Sequence, residues 1–279
     1  MSKRRIATLW ACLETRFCGR MRASRGGGVR IWQRLTVVIV VAAALLWVAQ
    51  PAPLYRDPPR QLPWKLPDYR DSKRYWHIDA NGLIQARVEH FFLADISPSM
   101  VAWFYRVLPV STVDLGGERM PLYHIFHPTE HGRIRVVEAA DDGSAGMGKG
   151  ALIQREEWFG PYDSRGQARL EELSAERMVA IPEFAGLPMG RIEHRFEQRD
   201  GGTYYTVSST IGSQLPVLGG LLNYYIRNVM FHPAVMEQWQ RHQVEEVASL
   251  NYFLPEVYSQ RGEVTHFTLA DNRVSTKIE

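Results

Sequence analysis

The chain has 279 residues and 45% hydrophobic composition, enough for a sizeable core in one large domain or two small ones. Its net charge of +3 is uneven: nine of the 33 Lys/Arg and one of the 30 Asp/Glu fall in residues 1–34, leaving 24 basic and 29 acidic residues after them. A mildly acidic body without a basic stripe interleaved with aromatics argues against a nucleic-acid partner. Both cysteines, Cys12 and Cys18, lie in the basic leader, which excludes disulfides and thiolate chemistry from the rest of the chain.

Residues 35–49 come directly after the leader and carry no charge. Fifteen helical residues cover about 22 Å, short against a bilayer core of about 30 Å. With its basic flank the run reads as a signal-peptide core or a short membrane anchor, over residues 1–50, and predicts export of the remainder of the chain. A start at Met21 would shorten the leader to a basic segment running directly into the apolar run. Six prolines between Pro51 and Pro67 suit an extended linker over residues 51–68. One domain is expected over residues 69–279.

Within that domain, Leu83 to Phe92 alternates, with Ile84, Ala86, Val88, His90 and Phe92 on one face of a strand. Ser97-Pro98 opens a helix through about Val107. Leu122 to His127 and Ala151 to Phe159 read as strands flanking a glycine-rich turn, Asp142 to Gly150, which lacks phosphate-loop spacing. Arg165 to Met178 reads as a helix capped by Ser164. Arg191 to Gln198 and Thr203 to Ile211 form a hairpin across Asp200-Gly201-Gly202. A helix from about Leu218 to Phe253, bent near Pro233, completes an α+β fold in which an antiparallel sheet curves around a long C-terminal helix.

Polar residues on the apolar faces mark the candidate site. Val235, Trp239, His242, Glu246, Leu250 and Phe253 share one helical stripe, so His242 and Glu246 point inward one turn apart, half of a metal site. His194 shares its strand face with Ile192 and Phe196, and Tyr205 shares one with Val207 and Ile211. Glu157, in phase with Ile153 and Phe159, is a better inward carboxylate than Glu156. His127 and His131 flank Pro128-Thr129-Glu130 at the end of the preceding strand.

His127-Pro-Thr-Glu-His131, Gly148-Lys-Gly150 leading to Arg155-Glu-Glu157, and Trp239-Gln-Arg-His242-Gln-Val-Glu-Glu246 resemble the 2,4-diacetylphloroglucinol hydrolase family, which includes phloretin hydrolases. The resemblance runs from about Gly82 to Tyr258. It implies a Bet v 1-like helix-grip fold and a Zn2+ ion held by His127, Glu157, His242 and Glu246. The spacing of the first two differs from the family pattern, which leaves His131 and Glu156 as alternates. Catalytic roles would fall on Glu157, His194 and Tyr205, and the substrate would be a small aromatic or acyl-ketone molecule cleaved at a carbon–carbon bond. The exported leader departs from the cytoplasmic family members. A membrane-tethered, noncatalytic binder of a lipid or aromatic ligand is the rival reading, and a structural metal domain the lesser one.

Overall fold

The structure is a computed structural model that describes residues 32–34, 36, 37, 40, 53–184, 186–215, 219–262 and 265–269. Most of the apolar run at 35–49 and both cysteines lie outside the described residues. Among the described residues no helix is long and apolar enough to cross a membrane.

From Pro53 onward the described residues form one compact unit. Its main sheet is antiparallel, in the order β1 (Lys73–Ile78), β2 (Ile84–Glu89), β12 (Gly202–Ile211), β11 (Gly190–Arg199), β9 (Arg177–Phe184), β8 (Tyr162–Leu173), β7 (Leu152–Phe159) and β6 (His131–Glu138). Two short strands, β3 (Leu93–Ala94) and β10 (Leu187–Pro188), extend it, and β13 (His266–Leu269), β4 (Thr112–Leu115) and β5 (Glu118–Pro121) form a second, small sheet. Helices α1 (Pro98–Val107), α2 (Leu122–Phe126) and α3 (Gly219–Tyr225) precede the long α4 (Pro233–Ser259). This is the α+β helix-grip arrangement expected from the sequence: α4 and the inward side chains of the large sheet share one core.

The helix expected from about Leu218 to Phe253 is divided and not merely bent: after α3 and a π-helical turn at Ile226–Met230, Phe231 and His232 leave helical conformation, and α4 carries the predicted stripe from Pro233 to Ser259. Pro233 occupies the first turn, where its missing N–H costs nothing, and Val235, Trp239, His242, Leu250 and Phe253 are all buried. Each buried apolar side chain contributes about 1.5–3 kcal/mol, so the stripe fixes the helix rotation and forces His242 inward. Part of the proline-rich segment packs on the same unit. The Arg60 backbone N–H donates to the Pro128 carbonyl at 3.1 Å, its guanidinium donates to the His131 carbonyl at 3.0 Å, and Trp64 is buried against Tyr252.

Three further local expectations are corrected. Residues Leu122–Phe126 form a one-turn helix, because Leu122, Tyr123, Ile125 and Phe126 are all buried, a pattern without alternation. His127 leaves that helix in extended conformation, as the residue before Pro128 must. Arg165 to Met178 is two strands, not a helix: Ala168 and Leu170 are buried in alternation, and ladders to β7 and β9 override the helix-forming composition. Finally, β2 stops at Glu89, so the alternation carries His90 inward but leaves Phe92 43% exposed.

Candidate metal centre

The register of the β6–β7 ladder places His131 opposite Glu157, on the face that packs under α4. From α4, His242 and Glu246 arrive one helical turn apart. His131 Nε2 lies 3.2 Å from His242 Nε2 and 3.3 Å from Glu246 Oε2, and His242 Nε2 lies 3.6 Å from Glu246 Oε2. His131, Glu157 and His242 offer ligand atoms all within 4.8 Å of one another, and all three are buried.

Hydrogen bonding assigns the protons on both imidazoles. His131 Nδ1 donates to the Tyr123 carbonyl at 2.8 Å, and His242 Nδ1 donates to Glu130 Oε2 at 2.9 Å. A neutral imidazole with its proton on Nδ1 presents a lone pair at Nε2. Burial, reinforced by His127 and His131, holds the His242 pKa well below the usual imidazole value, which keeps that ring neutral. Two such nitrogens 3.2 Å apart beside carboxylate oxygens attract a metal cation or a shared proton. A tetrahedral ion with bonds of about 2.0–2.1 Å sets its ligand atoms about 3.3 Å apart. The donor set therefore fits a metal of zinc's coordination habits.

Tyr123, which sequence analysis gave no role, holds this arrangement in three ways. Its carbonyl accepts from His131, its ring stacks on His131 with centroids 3.8 Å apart, and its hydroxyl donates to Glu157 Oε1. Burial opposes ionisation of Glu157, but the Arg155 guanidinium beside it is the largest of the influences that outweigh burial and hold the carboxyl at about 2. Glu246 is pushed above the usual carboxylate range by burial, with His131 opposing.

The other sequence-derived candidates lie around this core. His127 is buried, but its Nδ1 accepts from the backbone N–H groups of Glu130 at 3.2 Å and Thr129 at 3.4 Å, so its proton sits on Nε2, which donates to Glu245 Oε2 at 3.1 Å. Its ring stacks on His242 with centroids 4.5 Å apart. His127, Glu130 and His242 also lie close enough to count as a triad. Arg241 fills that corner with a guanidinium paired to both Glu130 and Glu245, which disfavours a cation there. Glu156 is turned away and pairs with Arg165 at 2.9 Å. The structure thus groups Glu157, His242 and Glu246 with His131, and sets His127 one layer out.

An apolar cavity adjoins the cluster. Glu157 and Glu246 line it together with Arg155, His194, Tyr105 and Gln243. Its remaining walls include Leu108, Phe126, Met147 and Trp239. Tyr205, fully buried, bridges His194 Nδ1 and the Tyr105 hydroxyl at 2.6 Å each. Two short hydrogen bonds thus link Tyr105 through Tyr205 to His194 and fix the orientation of the imidazole. Burial holds the His194 pKa down at about 3, so the ring is neutral.

Glu130, Arg241 and Arg155 were missed in the sequence. Arg155 was within reach, since the alternation that points Glu157 inward points Arg155 the same way. Glu130 and Arg241 meet across 111 positions of sequence, and no local period encodes that pairing.

No family model matches this chain, and no protein of curated function matches it in sequence. Among solved structures it is similar to protein Ms6760 from Mycobacterium smegmatis, at 13% identity and a TM-score of 0.38, over 63% of this chain and 95% of that one. It is also similar to Ara h 8.0201 (15% identity, TM-score 0.35, 60% and 97%) and to a START superfamily protein from Mycobacterium smegmatis (10% identity, TM-score 0.36, 60% and 98%). The side chains themselves define the class: an α+β helix-grip protein whose buried His/Glu cluster, compatible with a metal ion, stands at the wall of an apolar cavity.

Proposed function

We propose that the protein is a zinc-dependent hydrolase that cleaves the carbon–carbon bond joining an acyl group to a phenolic ring, or the equivalent bond of a β-diketone. The observation that carries this reading is the pair of Nε2 atoms of His131 and His242, 3.2 Å apart beside Glu157 and Glu246, with both glutamates at the cavity wall. His131, His242, Glu157 and Glu246 would hold the ion. When bound, zinc supplies Lewis-acid polarisation of a carbonyl and acidifies water.

The chain's own residues supply the rest. A glutamate of the cluster takes the proton of the attacking water and passes it to the ring carbon. Water oxygen bonds to the acyl carbon, the carbon–carbon bond breaks, and its electron pair stays on the ring carbon, which takes a proton. The products are a carboxylic acid and the ring bearing hydrogen. His194 Nε2, aligned through Tyr205 and Tyr105, hydrogen-bonds to a ring oxygen. Tyr123 fixes Glu157 and His131, and the apolar walls exclude bulk water.

The test is turnover by the zinc-loaded full chain of monoacetylphloroglucinol and simple β-diketones, with products identified by mass. Release of acetate and phloroglucinol is expected. Stoichiometric binding of these compounds without turnover would replace this reading with that of a noncatalytic binding protein, which the mainly apolar lining of the cavity favours.

A further inference from the structure

Arg155 stands inside the molecule with donors to spare. It is on the inward face of β7, lines the cavity, and keeps 40% of its side-chain surface accessible. A guanidinium has five N–H donors. Among the described residues its side chain makes one hydrogen bond, from Nη1 to Glu157 Oε1 at 3.4 Å, long for a charge-assisted contact. A cation whose accessible donors open on a largely apolar cavity, with one long hydrogen bond inside the protein, is placed to pair with an anionic group of a ligand.

We infer that Arg155 is the anion-recognition residue of this cavity, reading a ligand that carries one anionic oxygen and an apolar remainder. On the metal reading of the site, Glu157 and Glu246 are committed to a divalent ion, which leaves Arg155 without an anionic partner of its own. The planar fork of Arg155 suits a carboxylate as well as a phenolate or enolate. Its effect would be on ligand affinity and on which protonation state of the ligand binds.

The experiment measures calorimetric affinities of the full chain, with and without zinc, for three probes: monoacetylphloroglucinol in its ionised form, its trimethyl ether, and salicylate. Wild type is expected to bind at least one anionic probe about 10-fold or more tighter than the ether, as charge-assisted hydrogen bonds allow. In Arg155→Met that preference collapses while affinity for the ether is unchanged. If only the phenolate responds, the ligand is an ionised phenol or enol; if only salicylate responds, it is a carboxylate. Arg155→Lys, which keeps a charge beside Glu157, provides a folded comparison should the methionine variant fail to fold. It should retain part of the preference. Equal anionic preference in wild type and in the Arg155 variants, or no binding of any probe, overturns the inference. Zinc content measured in the same samples separates the two ideas: a metal-free wild type whose anion preference still depends on Arg155 defeats the metal reading and leaves this one standing.

Discussion

His131 lies directly across the β6–β7 ladder from Glu157, so one imidazole and one carboxylate are brought together by strand register alone. Helix α4 needs only one turn to supply the complementary pair, His242 and Glu246. The protein therefore builds a four-residue cluster from two of its most regular features, a cross-strand pair and an i,i+4 pair.

That geometry reverses the order expected from the sequence for the two histidines. His131→Ala should lose bound zinc by more than about 100-fold in affinity, as should His242→Ala. His127→Ala should weaken binding by about 10-fold, because His127 acts by stacking on His242 and bonding Glu245. Chelator competition coupled to metal analysis reads the ordering directly. Zinc lost from His127→Ala and kept by His131→Ala would move the centre to the outer triad with Glu130.

The glutamates on β7 give a parallel test with less disturbance to the fold. Glu157→Gln should abolish stoichiometric metal binding, whereas Glu156→Gln, which loses only a partly exposed pair with Arg165, should bind as wild type and change stability by less than about 1 kcal/mol. Equal metal loss in both variants would mean that β7 is bulged in solution.

Glu130 is the joint of the outer layer. It is buried, accepts from His242 Nδ1 at 2.9 Å and from the Gly160 N–H at 2.8 Å, and pairs with Arg241. Glu130→Ala strands these donors and leaves Arg241 with Glu245 as its remaining carboxylate partner, which should cost about 1–3 kcal/mol of stability. Urea denaturation in chelator isolates this cost from any metal effect. A loss under about 1 kcal/mol would show that water replaces the carboxylate freely.

These cases show which parts of the site were legible in the sequence. Glu157 and the His242/Glu246 pair were, because each sits in a strictly periodic apolar pattern that burial enforces. His131 was obscured by its neighbours: a one-turn helix with four buried residues, Leu122, Tyr123, Ile125 and Phe126, has no period to separate it from a strand. Once that helix ends at Phe126 and Pro128 turns the chain, His131 becomes the first residue of β6. At Arg165 to Met178 the failure was of another kind. Residues of good helix propensity were overruled by ladders on both sides.

The leader makes a prediction independent of the site. A reporter fused after Pro67 should be active outside the cytoplasm, since nine basic residues precede fifteen uncharged ones. Activity confined to the cytoplasm would remove the export reading and leave the cavity chemistry unaffected.

Acid should destabilise the fold through His90. The ring is buried 4.8 Å from Tyr205, and neither nitrogen has a protein partner. Burial, with nearby His194 adding to it, holds its pKa down at about 3, against about 6.5 in the unfolded chain. Above about pH 6.5 the ring is neutral in both states and exerts no pull on the equilibrium. Below that, the unfolded chain takes up a proton that the folded protein refuses, so stability falls as pH drops toward 3 by about 1.4 kcal/mol per pH unit for this one group. His194, held neutral in the same way, adds a second contribution. His90→Phe fills similar space without a titrating group. Its unfolding free energy, measured by urea denaturation in chelator from about pH 6 to about pH 4, should therefore decline less steeply than that of wild type by about 1.4 kcal/mol per pH unit. Near pH 7.5 the two proteins should differ by about 1 kcal/mol or less, because there the difference reports packing alone. Parallel slopes across the acid range would show that His90 accepts a proton within the folded protein, and that its buried nitrogens are reached by water.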